Sequence, residues 1–174
     1  DPQAVANRAT RGGGGGLMRH TIVALMEDKP GVLNRVATLF RRRNFNIDSL
    51  AVGHSETAGI SRMTIVVNGD DRTLEQVGKQ LHKLINVTRV FDVDADEGVE
   101  RELALVKVHA TPESRTKVIE LANIFRSSII DVSPDSLILE ITGTGDKINS
   151  LVELLRPYGV KELSRTGILA MVRG

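Results

Sequence analysis

The sequence predicts an α+β protein made of two ferredoxin-like domains in tandem, each with the element order βαββαβ. Two observations support this prediction. Short apolar runs alternate with segments of helical spacing in the same order twice, and an acidic stretch without apolar period lies between the two series. We expect a first domain at residues 18–96, a linker at 97–101 and a second domain at 102–174.

The first 17 residues are separate from both domains. They include five consecutive glycines, Gly12 to Gly16, and show no amphipathic period, so burial cannot offset the entropy cost of ordering them. We expect residues 1–17 to be a disordered leader, tag or linker. The glycines do not form a phosphate-binding loop, because they precede a predicted strand and no Lys-Ser or Lys-Thr pair follows them.

The first repeat opens with an apolar strand at Thr21 to Glu27. A helix follows Pro30 and Gly31, and arginines 41 to 43 suit the negative C-terminal end of its dipole. Asn44 can adopt the left-handed conformation that ends a helix. The apolar positions of this helix fall at i, i+3, i+4 and i+7, namely Leu33, Val36, Ala37 and Phe40.

A hairpin, a second helix and a closing strand complete the first repeat. The hairpin joins Ile47–Val52 to Ser61–Val67 through a turn-rich segment at Glu56–Gly59. The second helix spans about Arg72–Ile85, and the closing strand is Thr88–Val93. The predicted buried face of the helix consists of Leu74, Val77, Leu81, Leu84 and Ile85.

The second half repeats this order. A strand covers Glu102–Ala110, and Thr111 is predicted to cap a helix that has Pro112 at its first position. A hairpin then pairs Ser128–Val132 with Leu137–Thr142. The apolar positions of the helix are Val118, Leu121, Ala122 and Phe125.

The last helix and strand close the second domain. Asp146 is predicted to cap the helix and Pro157 to end it. The final apolar run, Val160 to Val172, is interrupted by Gly167 and should form a bent or two-part strand. The inward positions of the helix are Ile148, Leu151, Val152 and Leu155.

Helices cover only one face of each predicted sheet. The opposite faces carry apolar side chains, and a continuous apolar surface is rarely left in water. We therefore expect a partner to cover Val23, Leu25, Val66, Ala104 and Val106.

The composition excludes several function classes. The 174 residues include 23 Lys+Arg and 22 Asp+Glu, so the net charge of +1 provides no field for nucleic acid. One Tyr, four Phe and no Trp leave few platforms for stacking bases. No apolar run reaches the roughly 18 residues of a membrane span. The absence of cysteine removes disulfides and thiolate chemistry and favours a reducing compartment, so we expect a cytoplasmic protein.

The sequence shows no catalytic or metal-binding constellation, and we predict no catalytic residue and no metal site. The histidines lie one to an element without the i, i+4 pairing of a helical metal site. His82 is expected to have a solvated or capping role. The basic triplet at 41 to 43 is better explained by the helix dipole than by a phosphate site. The four histidines are His20, His54, His82 and His109.

The segment from Asp28 to Leu33 joins the first strand to the first helix. The first N–H groups of a helix have no intrahelical acceptor, so an α-carboxylate could dock there. Gly31 has no Cβ and would allow a ligand to approach the backbone, and the Asp28 carboxylate could bind an ammonium group. On these residues alone, a structural interpretation is favoured, in which Asp28 caps the helix and Pro30 and Gly31 shape the turn.

Seven segments resemble the small, regulatory subunit of acetohydroxyacid synthase, also called acetolactate synthase. The resemblance covers residues 18–174 in the same order as in that family. The segments are EDKPGVLNR (27–35), NIDSL (46–50), SRMTI (61–65), LEQVGKQLHKL (74–84), ERELALVKV (100–108), FRSSIIDVSPDSLILEITG (125–143) and SRTGILAMVRG (164–174).

The resemblance implies that the first domain is an ACT domain, an amino-acid-sensing module that binds its ligand at the interface of a homodimer. Many family members have Asn where this chain has Asp28, which changes the local charge. One protomer is expected to contribute Asp28, Gly31, Val32, Leu33 and Asn34 to a valine site, and the facing protomer Asn46 and Ile47.

The resemblance also implies a function in branched-chain amino acid biosynthesis. A large catalytic subunit would hold thiamine diphosphate, a divalent metal and FAD, whereas this chain would bind no cofactor. The chain would activate that partner and confer feedback inhibition by valine or a related amino acid. One alternative is an ACT-domain transcription regulator that responds to an amino acid, but neither half contains a helix-turn-helix. Another is a small enzyme of the acylphosphatase type, but no cationic phosphate cradle beside an Asn is found.

Overall fold

The computed structural model describes residues 18–43 and 45–174 and divides into two compact units. The first unit comprises the described residues up to Val99 together with Leu169–Gly174, and the second comprises Glu100–Ile168. Two predictions, the disordered leader at residues 1–17 and the helix stop at Asn44, lie outside the described residues.

The element order follows the predicted double repeat. The first βαββαβ series is β1 (Met18–Glu27), α1 (Val32–Arg43), β2 (Asn46–His54), β3 (Ile60–Gly69), α2 (Asp71–His82) and β4 (Val87–Val93). The second series is β5 (Gly98–His109), α3 (Arg115–Ile124), β6 (Ser128–Val132), β7 (Ser136–Gly143), α4 (Gly145–Leu155), a short 3₁₀ turn (Arg156–Tyr158), β8 (Val160–Arg165) and β9 (Leu169–Val172).

The first unit contains an antiparallel sheet with the strand order β2-β3-β1-β4. In this arrangement β1 and β2 run parallel and are separated by β3, which is the connectivity of the ferredoxin-like fold. Alternate residues of β1 face the two helices, and Ile22 pairs across the sheet with Ile65 of β3. The fold class predicted for this half is confirmed.

The inner face of α1 differs from the prediction. Its buried residues are Val32, Val36 and Phe40, whereas Leu33 is 49% exposed and Ala37 is also exposed. The buried stripe has the spacing i, i+4, i+8, which places Val32 on the side of the helix that faces the sheet. Leu33 and Ala37, which the apolar spacing groups with Val36 and Phe40, therefore lie outside the buried face.

The inner face of α2 is predicted correctly except at its end. Leu74, Val77 and Leu81 are buried, but Ile85 is 89% exposed. The helix ends at His82, and the chain then turns through a hydrogen bond from the Leu84 N–H to the Leu81 carbonyl, which is 3.1 Å long. Helical spacing therefore no longer applies at Ile85.

The last strand, β9, covers part of the outer face of the first unit's sheet. Ala170 is 4% exposed and forms a small buried cluster with Val23 and Val93. The Arg62 guanidinium donates to the Ala170 carbonyl at 2.8 Å, and the Arg173 N–H donates to the carbonyl of residue 97 at 2.8 Å. The expectation that a partner covers Val23 is wrong, because the C-terminus of the same chain covers it.

The second unit repeats the fold, with the strand order β6-β7-β5-β8 along its sheet. Ala104 and Val106 belong to the core under its helices, together with Val118 and Leu151. The expectation that these two residues face a partner is therefore wrong. The opposite face of β5 carries Leu105, which is partly exposed.

Three element boundaries in the second half differ from the predictions. Residues 98–101, expected in the linker, lie in β5. Thr111 begins a turn rather than a helix: its hydroxyl accepts from the Ser114 N–H, and α3 starts at Arg115. The cap of α4 is Thr144, which accepts from the Lys147 N–H, so Asp146 lies in the first turn instead. The predicted break at Gly167 is confirmed, because β8 ends before it and β9 begins after it.

Within the described residues, no helix has both the length and the apolar character needed to cross a membrane.

Candidate functional site

The loop between β1 and α1 has a backbone that is open to a ligand. Gly31 has φ +85°, and a Cβ added there would have as its nearest neighbour the guanidinium of Arg35, at 4.0 Å. The Val32 N–H donates to the Lys29 carbonyl at 3.3 Å. For Leu33 and Asn34, the first-turn N–H groups have no backbone acceptor within the described residues. These donors can receive an anionic group beside a position without a side chain.

Asp28 is held at the start of this loop by its backbone. Its N–H donates to the Gly59 carbonyl at 2.8 Å, which ties the end of β1 to the β2–β3 turn. Its side chain is 48% exposed, and Oδ2 lies 3.3 Å from Nδ1 of His54. In the described part of the chain, no α1 N–H donates to this carboxylate, so Asp28 does not act as the predicted cap. The exposed side of the carboxylate can face a cation from solution.

A polar frame supports the other side of the loop. The Glu27 carboxylate contacts the Lys29 ammonium at 2.8 Å and accepts from the Asn86 side-chain amide at 3.0 Å. The Arg35 guanidinium donates to the carbonyl oxygen of the same Asn86 amide. The hydrogen bond from Lys29, followed by that from Asn86, lowers the pKa of Glu27. The frame connects β1, α1 and the turn before β4.

Three of the predicted site residues follow Gly31 directly. Val32 is 3% exposed and packs in the core, so only its backbone can serve a ligand. Leu33 and Asn34 are exposed on the surface of α1. The structure therefore brings together Asp28 and the backbone of the first helical turn.

The two remaining site residues lie elsewhere in the chain. Asn46 pairs with Asn68, which also pairs with Arg19 at the start of β1. Asn46 is therefore about 27 Å from Glu27, measured along β1 at roughly 3.4 Å per residue. Ile47 follows Asn46 and packs partly against the core. Within one chain, Asn46 and Ile47 cannot meet Asp28.

Three residues beside the loop, His54, Arg35 and Asn86, were not predicted from the sequence. Arg35 lies inside the segment EDKPGVLNR, four residues after Gly31. Residues at this spacing are neighbours on a helix, so the sequence does indicate that Arg35 lies beside the loop. His54 and Asn86 reach the loop only through the sheet register and the turn before β4, so nothing near the loop in the sequence indicates them.

The described residues include no group of three or more His, Cys, Asp or Glu side chains that could hold a metal ion. His82 differs from its expected solvated role, since its Nε2 is buried and has no hydrogen-bond partner.

Comparison with known proteins covers both halves of the chain. Residues 22–89 match the model of the AHAS small subunit-like ACT domain, and residues 101–174 match the model named small subunit of acetolactate synthase. The "Probable acetolactate synthase small subunit" of Archaeoglobus fulgidus is 59% identical over 157 residues, which cover 90% of this chain and 98% of that protein. The acetolactate synthase small subunit of Mycobacterium bovis is 53% identical over 155 residues, covering 89% and 92% respectively.

A solved structure supports the same assignment. The crystal structure of the acetolactate synthase small subunit from Thermotoga maritima has a TM-score of 0.84 and 46% sequence identity to this chain. The alignment covers 90% of this chain and 98% of that one. With both units matched by family models and these relatives matched over most of their length, the chain belongs to the family of acetolactate synthase small subunits.

Proposed function

We propose that this chain is the regulatory subunit of an acetolactate synthase and that it senses a branched-chain amino acid. It binds the catalytic subunit, raises its activity, and lowers that activity again when valine or a related amino acid occupies the β1–α1 loop. An effector that binds one conformation of the complex better than another shifts the equilibrium by its differential affinity, typically about 1–3 kcal/mol.

The observation that carries this proposal is the matched geometry of the loop. The free N–H groups of Leu33 and Asn34 suit an α-carboxylate, the Asp28 carboxylate suits an α-ammonium, and Gly31 leaves room between them. Both charges of a zwitterion are thereby matched. Because the first unit matches the model of an ACT domain, we favour an effector site at this loop over a turn that has only a structural role.

A homodimer completes the site. Asn46 and Ile47 are roughly 24–27 Å from the loop of their own chain, so they act on the effector held by a second protomer. The strand that carries them, β2, lies at the edge of its sheet, and its residues Leu50 and Val52 are exposed apolar side chains. Such an edge is available to another chain.

The chemistry of the synthase belongs to the catalytic subunit. Thiamine diphosphate, a divalent metal and FAD are held there, and this chain contributes no catalytic residue. The described residues do not fit a resident metal, because no cluster of suitable ligands is found among them. The alternative of an amino-acid-responsive transcription regulator is not favoured, because the second half also matches the acetolactate synthase small subunit.

Two measurements test the proposal. Acetolactate formation is compared for this chain, for the catalytic subunit and for their mixture, and the mixture should exceed both components. Valine should then lower the activity of the mixture. A mixture no more active than the catalytic subunit alone would contradict the regulatory function.

The Gly31→Asp variant tests the site. It places a second carboxylate where the effector carboxylate docks, so valine inhibition should be lost while activation by the subunit is retained. Gly31→Asn is the matched control, because it has the same size and the same strain at φ +85° but no charge. If Gly31→Asp keeps full valine sensitivity, the loop is not the effector site.

A further inference from the structure

His54 lies beside the one carboxylate that the proposed site offers to the effector. It is the last residue of β2, and its Nδ1 is 3.3 Å from Oδ2 of Asp28. The imidazole is 86% exposed. We propose that His54 is a positioning residue of the effector site, which acts through Asp28 and weakens effector binding when it is protonated. This inference rests on the proposed function.

The backbone fixes the two side chains next to each other. His54 pairs with Ser61 in the β2–β3 register, and the Asp28 N–H donates to the Gly59 carbonyl. The turn between these points is closed by hydrogen bonds from the Ser55 hydroxyl and the Ser55 N–H to the Ile60 carbonyl, at 2.7 and 2.9 Å. The ends of β1 and β2 are thus attached to one short turn. The backbone therefore holds His54 and Asp28 close together.

Charge competition gives the direction of the effect. An imidazolium at His54 and the ammonium of the effector would both be attracted to the same Asp28 carboxylate, so each weakens the other. Neutral His54 leaves the carboxylate to the ammonium. Histidine is the side chain that ordinarily changes charge between about pH 5 and 8. Effector binding should therefore weaken as the pH falls through this range.

The neighbouring charged groups ordinarily keep their charge in that pH range. The Glu27 carboxylate is paired with Lys29, and its pKa is lowered by that contact and by Asn86. The Arg35 guanidinium is directed at Asn86. The remaining charged side chain on the adjoining turn is the exposed Glu56. Carboxylates, lysine and arginine ordinarily keep their charge between about pH 6 and 8, so these groups contribute no change of charge in that range.

The exposure of the His54 and Asp28 side chains limits how much the affinity for the effector changes. An interaction between exposed charges changes a binding constant by about two- to fivefold, since the solvent screens it. We expect the dissociation constant of L-valine for the wild-type chain to be about two- to fivefold higher near pH 6 than near pH 8.

Isothermal titration of the full-length chain with L-valine at the two pH values tests this directly. His54→Asn removes the titrating group and should bind valine with the same affinity at both. His54→Lys carries its charge throughout and should bind weakly at both, about as the wild type does near pH 6. Circular dichroism of each variant verifies that the fold is kept.

The outcomes separate the inference from the function on which it rests. A pH-dependent wild type with a flat His54→Asn variant supports the role of His54. A flat wild type, or a His54→Asn variant that keeps the wild-type slope, overturns it and leaves the effector site intact. If valine binds to the wild type at neither pH, the proposed sensing function fails, and the inference fails with it.

Discussion

Glu102 and Arg165 form a largely buried ion pair in the second unit. The guanidinium donates to both carboxylate oxygens, at 2.9 and 2.8 Å, and the Glu102 side chain is 4% exposed. The hydrogen bond to Glu102 raises the pKa of Arg165. Arg165 also donates to the side chain of Asn149 on α4 at 2.6 Å, so the pair joins β5, β8 and α4. A buried charge that loses its partner is costly, because neither water nor an opposite charge then stabilises it.

Removal of the Glu102 charge should reduce the free energy of unfolding measurably. We expect Glu102→Gln to lower the free energy of unfolding by about 1–3 kcal/mol, because it leaves the guanidinium without its charge partner. Urea unfolding followed by circular dichroism measures the change. The control is Glu162→Gln, which removes the partner of Lys107 from a more exposed pair and should cost less than about 1 kcal/mol. If both variants lose the same free energy of unfolding, burial does not increase the contribution of the Glu102–Arg165 pair to stability.

Glu27 gives a prediction for acid pH. Its pKa is lowered by hydrogen bonds from Lys29 and then Asn86. A carboxyl group with a depressed pKa in the folded state stabilises that state above its ordinary titration range, and this contribution is lost as the pH falls through the folded value. We expect the Glu27 frame to be intact at neutral pH and to come apart in acid. In an NMR titration, the midpoint of Glu27 should be higher in Asn86→Ala than in the wild type; identical midpoints would contradict the proposed frame.

At the scale of elements, local patterns predict the order of strands and helices but not all of their contacts. The periods of apolar residues are local, so they locate β1, α2 and β7 well. The inward face of α1 depends on how the helix lies on the sheet, which the apolar spacing of Leu33, Val36, Ala37 and Phe40 does not specify. His54 and Asn86 approach the loop only when the sheet forms, so their place in the site could not be predicted.

The position of β9 is another contact between residues distant in sequence. Ala170 is small and buried between Val23 and Val93, whereas its neighbour Met171 is 63% exposed. The sequence predicts the break at Gly167 but gives no indication of which sheet face the last strand covers. The hydrogen bond from Arg62 to the Ala170 carbonyl makes this strand part of the first unit.

A charge at Ala170 should therefore destabilise the first unit. We expect Ala170→Asp to lower the free energy of unfolding by more than about 2 kcal/mol, because it buries a carboxylate among apolar side chains. The matched control is Met171→Asp, one residue away on the exposed side of the strand, which should change stability by less than about 0.5 kcal/mol. Thermal unfolding compares the two. An Ala170→Asp variant as stable as Met171→Asp would mean that β9 does not cover this face in solution.

At the scale of the whole molecule, the chain is one component of a larger assembly. The outer face of the second unit's sheet exposes Leu105 and Leu163 beside the Lys107–Glu162 pair, around a cavity of about 470 Å³. An apolar sheet face of this kind is typical of a protein–protein contact. Strand β9 covers Val23, and Ala104 and Val106 lie in the core of the second unit, so the partner contact expected at these three residues is not required.

The central claim is that two copies of this chain hold a branched-chain amino acid at the β1–α1 loop. A crystal structure of the chain grown with L-valine tests it most directly. The account predicts density for valine with its carboxylate on the N–H groups of Leu33 and Asn34, its ammonium facing Asp28, and Asn46 and Ile47 of a second protomer against it. Valine bound at another place while this loop is empty would contradict the account.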